Sequence, residues 1–492
     1  MIKESFFKTV IIWKTRDRMT SEELIEKFLE IEDQNHFFDL KIGNIKFWLY
    51  IRFDVYTSLM ENYGLFNKNT SINEKFDNRI NLMELINRMT VKNQFFLFKK
   101  EILIFSSSRK VKENSRYRCV YTDLLSENLD NSYYIFDNST DGFFYYPRYV
   151  SRVKNSDINS FKALCKKKDK IVFDGRMLEE RIYNILEQSF ENSLTTKQKV
   201  RINTALVNIL NERNYYRSYY HFILKRIKPK VIVIVCYYDF RMMILCEAAK
   251  ELGIPVIELQ HGVIGKEHIS YNFFRKRKLK SFPDYIFTFS REDRETARFP
   301  LSRSRIYAVG YPEMEYKIRK YEKLRLKARK KKKILFISQS IKEIFEYAAE
   351  LSKRIDLDQY EIIVKLHPRE FGNWRKEFGK LLEDADVTII DNLDRDIYFY
   401  LAQADYVVGI FSTVMLEATM FDTNIVIIKK ASYTYMKKLY ENDMAVLIDS
   451  VDELQRIVVN NISTGNSEKT YFEKNSISNM KTAIREIMRK DE

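Results

Sequence analysis

Two of the five histidines in this chain, His261 and His367, end apolar runs, and each is followed by a turn former, Gly262 or Pro368. A backbone that turns at such a point presents its side chain into a cleft rather than into the core. An imidazole near its ordinary pKa accepts a proton at neutral pH, so His261 is a candidate general base or orienting group. A hydrogen-bonded histidine that caps the turn is the plainer alternative. Gln260 and Gly262 would set amide and backbone donors beside it. His367 follows Lys365 and precedes Arg369, an electropositive group suited to a phosphate oxygen.

Ser412 and Thr413 stand where a strand pattern passes into a helix pattern. Hydroxyls and free amide N–H groups there suit an anion, although ordinary N-capping explains a serine equally well. Gly409, just upstream, would keep the way in uncrowded. Glu417, one turn into the helix, is placed to accept a hydrogen bond from a ribose hydroxyl. Other chemistries lack their motifs: the chain has no GxxxxGKS/T, no GxGxxG after a strand, no HExxH, no GxSxG and no Cys/His ligand cluster. A divalent metal is therefore not indicated.

The elements that must position these residues follow from pattern. EILIFSS (101–107), RCVYT (118–122), SYYIFD (132–137) and KIVFDG (170–175) read as strands, and about 177–227 as one long helical stretch. KPKVIVIVCYY (228–238), RMMILCEAAKELG (241–253) and IPVIELQHG (254–262) form a βαβ unit. PDYIFTFS and SRIYAVGYP extend it. A second alternation runs from KKILFISQS (332–340) through YEIIVKLHP (360–368) and DYVVGIFS (405–412) to NIVIIKK (424–430). Strands apolar on both faces and separated by helices mean parallel doubly wound sheets. The expected fold is α/β, with two tandem Rossmann-like domains facing across a cleft and a mainly helical N-terminal extension. The segments are 1–95 for the extension, 96–316 for the acceptor-side domain, 317–333 for a basic linker, 334–465 for the nucleotide-side domain and 466–492 for a C-terminal helix. Aromatic residues around Arg52 read as core packing.

With 492 residues, 45% of them hydrophobic, the chain exceeds a single small module and is not a disordered one. Its four cysteines show no CxxC pairing, which fits a reducing cytosol. No cleaved signal and no membrane span are expected. The net charge is +16, and residues 317–333 supply much of it. Such a surface attracts polyanions or anionic lipid, and nucleic acid is not expected because no base-reading motif occurs.

The ELGIPVIELQHGVIG segment, then VKLHP, then DYVVGIFSTVMLEA resemble, in this order, the two-domain GT-B glycosyltransferases of bacterial capsular and surface polysaccharide assembly. CDP-glycerol glycerophosphotransferases and bacterial sialyltransferases are among the relatives. The resemblance implies a transferase that moves a sugar or polyol phosphate from a CMP-, CDP- or UDP-linked donor to a growing polysaccharide or its lipid-linked acceptor. It implies that His367, Pro368, Lys365, Arg369, Ser412 and Thr413 hold the donor phosphates, with Glu417 on the ribose. Gln260, His261 and Gly262 would lie near the acceptor, His261 as base. No acidic residue stands beside this HG as it does in many bacterial sialyltransferases. A cytoplasmic enzyme on the inner face of the membrane, working with capsule assembly proteins, is the implied setting. A sugar-nucleotide epimerase of the same fold and a non-catalytic assembly scaffold are the alternatives.

Overall fold

The apolar runs assemble into two parallel sheets. The computed structural model describes residues 19–65, 90, 92–138, 145–165, 175–430, 433–465 and 469–490. The first sheet contains β1 (Ile102–Phe105), β2 (Tyr133–Asn138), β3 (Val153–Ser156), β4 (Val231–Val235), β5 (Val256–Leu259), β6 (Tyr285–Thr288) and β7 (Ile306–Ala308), in the order β7-β6-β5-β4-β1-β2-β3. The second contains β8 (Lys332–Ile337), β9 (Tyr360–Lys365), β10 (Thr388–Ile390), β11 (Tyr406–Gly409), β12 (Asn424–Ile428) and β13 (Val446–Ile448), in the order β10-β9-β8-β11-β12-β13. Every pairing within these two sheets is parallel. Every residue of β1, β4, β5 and β11 is buried, the mark of strands covered on both faces. Strand order reverses between β1 and β4 and between β8 and β11. Ligands of open α/β sheets bind beyond the carboxyl ends at such reversals.

The chain divides into two units. One takes the described residues among 1–70, 169–211 and 272–274, and the other holds both sheets. In the first unit, helix Ser21–Gln34 starts on a Thr20–Glu23 capping box. In helix Trp48–Asn62, Arg52 is buried, and its Nε lies 2.7 Å from Glu32 Oε2. The Trp48 indole donates to the same oxygen at 2.9 Å, and Phe273 lies 4.4 Å beneath the guanidinium. The aromatic cluster is core, and Glu32 supplies the charge without which a buried arginine would be strongly destabilising.

Several expectations change. RCVYT is not a strand of the first sheet. Arg116–Cys119 pairs antiparallel with Lys110–Glu113 in a separate hairpin, because Asn114 and Ser115 take positive φ of 46° and 64° and close a two-residue turn. The long helical stretch is broken before Thr196–Ile227, where the Thr195 hydroxyl accepts the Gln198 N–H at 3.3 Å and starts a new helix. The basic stretch is no free linker. Helix Pro312–Arg325, with Pro312 in its first turn, takes its first half, and Lys332 and Lys333 open β8. KIVFDG lies almost wholly outside the described residues. Strands β3 and β13 were not anticipated. Helix Ser476–Lys490 closes the chain, with Lys481 and Arg485 on Asp130 at 3.0 and 2.6 Å.

Candidate functional site

The carboxyl end of β5 delivers His261. The Tyr121 hydroxyl donates to its backbone carbonyl at 2.7 Å, and its Nε2 lies 3.0 Å from the Tyr238 hydroxyl. Its Nδ1 has no hydrogen-bond partner among the described residues and sits 3.9 Å from Oε1 of Glu258, a residue of β5 itself. That Oε1 accepts the Tyr237 N–H at 3.0 Å and the Tyr271 hydroxyl at 2.8 Å, while Oε2 has no partner among the described residues. Burial pushes the fully enclosed Glu258 up to about 8, despite those two donors. Burial, and secondarily the charge of Arg109, pushes His261 down to about 4. At neutral pH the pair is thus a protonated carboxyl beside a neutral imidazole.

Gln260 does not face the cleft. Its Nε2 donates to Gly262 O at 2.8 Å and to Asp293 Oδ2 at 3.0 Å, and its Oε1 accepts the Phe289 N–H at 2.5 Å. Both ends of the amide are spent inside the protein. Asp293 is also paired with Lys438 and accepts the Tyr471 hydroxyl at 2.5 Å, a buried polar cluster shared by segments of both sheets.

Arg109, which the sequence reading missed, leads into the Lys110–Glu113 hairpin. It is solvent-accessible, its Nη1 donates to Tyr121 Oη at 2.9 Å, and no described carboxylate lies within ion-pair distance. The one signal was the polar Asn114-Ser115 pair, which lacks the glycine that marks a two-residue hairpin turn in sequence. An aromatic column was missed too: Tyr121 on Tyr311 (5.9 Å), Tyr311 on Phe289 (4.5 Å) and Phe289 on Phe472 (5.6 Å).

From the second sheet, Thr413 and Glu417 project from helix Thr413–Ala418 after β11. Ser412 is nearly buried and caps that helix by accepting the Val414 N–H at 3.3 Å. Gly409 opens no path for a ligand. A Cβ there would come within 2.6 Å of Met415 Sδ, so the glycine admits a core side chain. Glu417 is almost wholly enclosed, and burial, opposed by Arg109, brings it to about 7.

After β9, His367 is exposed and starts the short helix Pro368–Glu370. Its Nδ1 accepts the Arg369 N–H at 3.2 Å, which leaves Nε2 outward. Glu370, another residue the sequence did not reveal, ties this turn to the end of β8. It accepts His367 N–H at 2.6 Å, Ser338 Oγ–H at 2.5 Å and Ser340 N–H at 3.0 Å. Lys365 turns inward, donating to Asn392 O at 3.0 Å over the Phe371 ring, so it offers no ammonium to a phosphate. Pro368 and Arg369 are exposed.

One cleft therefore brings together Arg109, Tyr121, His261 and Gly262 from the first sheet's side with Thr413 and Glu417 from the second's. His367, Pro368 and Arg369 do not line it. β9 and β11 flank β8, so they lie two strand spacings, about 10 Å, from Thr413. Among the described residues no group of three metal-ligating side chains occurs.

No curated protein matches the chain in sequence. Among solved structures, a protein assigned as a UDP-N-acetylglucosamine 2-epimerase from Listeria monocytogenes superposes with a TM-score of 0.50 at 11% identity, over 80% of this chain and 97% of that one. The UDP-GlcNAc 2-epimerase of Neisseria meningitidis, bound to UDP-GlcNAc, gives 0.49 at 12% identity, over 79% and 99%. The wall teichoic acid polymerase TagF gives 0.41 at 11%, over 82% and 91%. At such identities likeness speaks to fold, and the Listeria superposition agrees with the two parallel sheets of a GT-B architecture. The family model for alpha-2,8-polysialyltransferase matches residues 149–430, more than half of the chain, from β2–β3 through β12. That span holds His261, His367, Thr413 and Glu417, and it matches although no acid adjoins the HG in sequence. A cleft that faces a histidine with a helix start, on this fold and under that match, places the chain in the alpha-2,8-polysialyltransferase family, as a glycosyltransferase of GT-B type.

Proposed function

We propose that the enzyme extends an acidic cell-surface polysaccharide by transferring a sialyl unit from a CMP-activated donor to a hydroxyl at the end of the growing chain. The observation that carries this reading is the cleft in which His261 and Arg109 face Thr413 and Glu417. His261 takes the acceptor hydroxyl's proton at Nε2, the nitrogen now beside Tyr238. The uncharged Glu258 presents Oε1, its acceptor oxygen, 3.9 Å behind Nδ1, a dipole that favours the imidazolium as it forms. Arg109 holds a substrate oxyanion. An anion there offsets the arginine's depression of His261, so the acidic substrate itself strengthens the base. Thr413 Oγ neutralises the leaving phosphate and Glu417 accepts from a ribose hydroxyl, while the outward Nε2 of His367 and Arg369 hold the far end of the nucleotide from beyond the cleft. Gly262 lets the substrate approach the backbone closely.

The enzyme works at an anionic membrane surface, where a lipid-linked acceptor would present itself. No described helix is long and apolar enough to cross a membrane. The test is thermal stabilisation by CMP, CDP, UDP and GDP. The expected result is stabilisation by CMP that His367→Ala loses. No stabilisation by any of the four overturns the reading.

A further inference from the structure

The amino-terminal end of the first sheet carries exposed aromatic side chains. In the segment leading into β1, Phe96 and Phe98 are 59% and 72% exposed, among the most exposed large apolar side chains present. This segment runs along the end of helix Thr196–Ile227. Phe95 packs edge-on against Phe222 at 6.0 Å, and Lys100 N donates to Ile227 O at 3.1 Å. These contacts lay the segment, with its exposed Lys99, along the helix end that carries the exposed cations Lys225, Arg226 and Lys228, and none of the four has a described carboxylate within ion-pair distance. Glu101, the next residue of the segment, is turned to Asn131 Nδ2 and Ser132 N–H, at 3.2 and 3.3 Å, and Asp157 is spent on Asn159 N–H and Ser160 Oγ–H. Lys228 stands at φ +50°, a left-handed turn that ends the helix, and is exposed.

We infer that this patch is a docking surface for an anionic lipid bilayer, with Phe96 and Phe98 seated in the interfacial layer and the four cations on the headgroups. The inference rests on the membrane setting proposed above and gives it a location. The composition selects a bilayer over a soluble polyanion. Cations alone suffice for a carboxylated glycan, whereas two exposed phenyl rings at their edge add the apolar contact that a bilayer's interfacial layer receives. The location also differs from the 317–333 stretch, where several cations are already engaged: Lys317 on Asp396 (2.7 Å), Lys320 on Glu113 (2.5 Å) and Arg325 on Asp422 (3.1 Å).

Co-sedimentation of the full-length protein with phosphatidylcholine vesicles, with and without phosphatidylglycerol, tests this. The parent is expected to bind the anionic vesicles. Phe96→Ser/Phe98→Ser and Lys225→Gln/Arg226→Gln/Lys228→Gln are each expected to weaken that binding tenfold or more. Lys327→Gln/Lys330→Gln is expected to bind as the parent does. Transfer to a short soluble acceptor, measured on the same preparations, should stay at the parent's rate in all three, which separates loss of docking from misfolding and from failure of the proposed activity. Undiminished vesicle binding by the phenylalanine variant overturns the inference. So does displacement of the parent from vesicles by a soluble acidic polysaccharide, which would reassign the cations to the acceptor.

Discussion

Oε1 of Glu258 lies 3.9 Å from Nδ1 of His261, and both groups are held neutral by the same enclosure. Three residues apart in sequence, they form a carboxyl–imidazole pair because β5 ends between them and the chain turns back at Gly262. Their titrations act on stability with opposite signs. The folded value of about 8 for Glu258 lies above its ordinary 4.5, so its contribution is complete below 4.5 and is lost as pH rises through 8. For His261 the folded value of about 4 lies under the ordinary 6.5, so its contribution is present above 6.5 and is lost as pH falls toward 4.

Glu258→Gln removes the first of these titrations while keeping an acceptor for Tyr237 and Tyr271. Its melting temperature relative to the parent should climb steadily between about pH 5 and pH 8.5. Thermal unfolding across that range checks it, and a constant difference would contradict a neutral, buried Glu258.

His261→Gln should lower kcat by ~10² to 10⁴-fold, the usual worth of a general base. CMP stabilisation should survive, because the donor groups assigned to phosphate lie on the second sheet. Steady-state kinetics beside thermal shift separates the two effects. Unchanged turnover would remove His261 from the chemistry.

Arg109→Ala should raise KM for the acidic substrate about 10- to 100-fold, the ~1.5–3 kcal/mol typical of a hydrogen bond to a charged group. Arg109→Lys should restore part of the loss, since it keeps the charge but not the fork. Equal kinetics in parent and alanine variant would show that the guanidinium meets no substrate anion.

Lys438→Met should cost about 3–5 kcal/mol, because Asp293 would remain buried and charged without its cation. Adding Asp293→Asn should recover a large part. Denaturant unfolding of the single and double variants measures the coupling, and additive losses would mean the pair is not energetically linked.

Much of this architecture was legible because buried parallel strands write themselves as Val/Ile runs. β4, β5, β8, β9, β11 and β12 all stood out by that signal, and with them the histidines at their ends. The hairpin that carries Arg109 and Tyr121 was not legible as such, since RCVYT has the same apolar character as a sheet strand and its partner is highly charged. Ser412 and Gly409 had the expected residue types and different work: one caps a helix, the other yields space to Met415. Lys365 and Gln260 could not be judged from spacing, because their direction depends on Asn392 and on Asp293, distant in sequence. Glu258 was hidden inside a strand, where a carboxyl has no periodic signature, and its nearness to His261 appears only once the turn is built.

The most direct test of the account is chain elongation of a short sialylated acceptor by the full-length enzyme with a CMP-activated sialyl donor, followed by product length. The account predicts a ladder of longer products with the parent and none with His261→Gln. Parent enzyme that binds CMP yet leaves the acceptor unextended, or that converts the donor without any acceptor present, would contradict it.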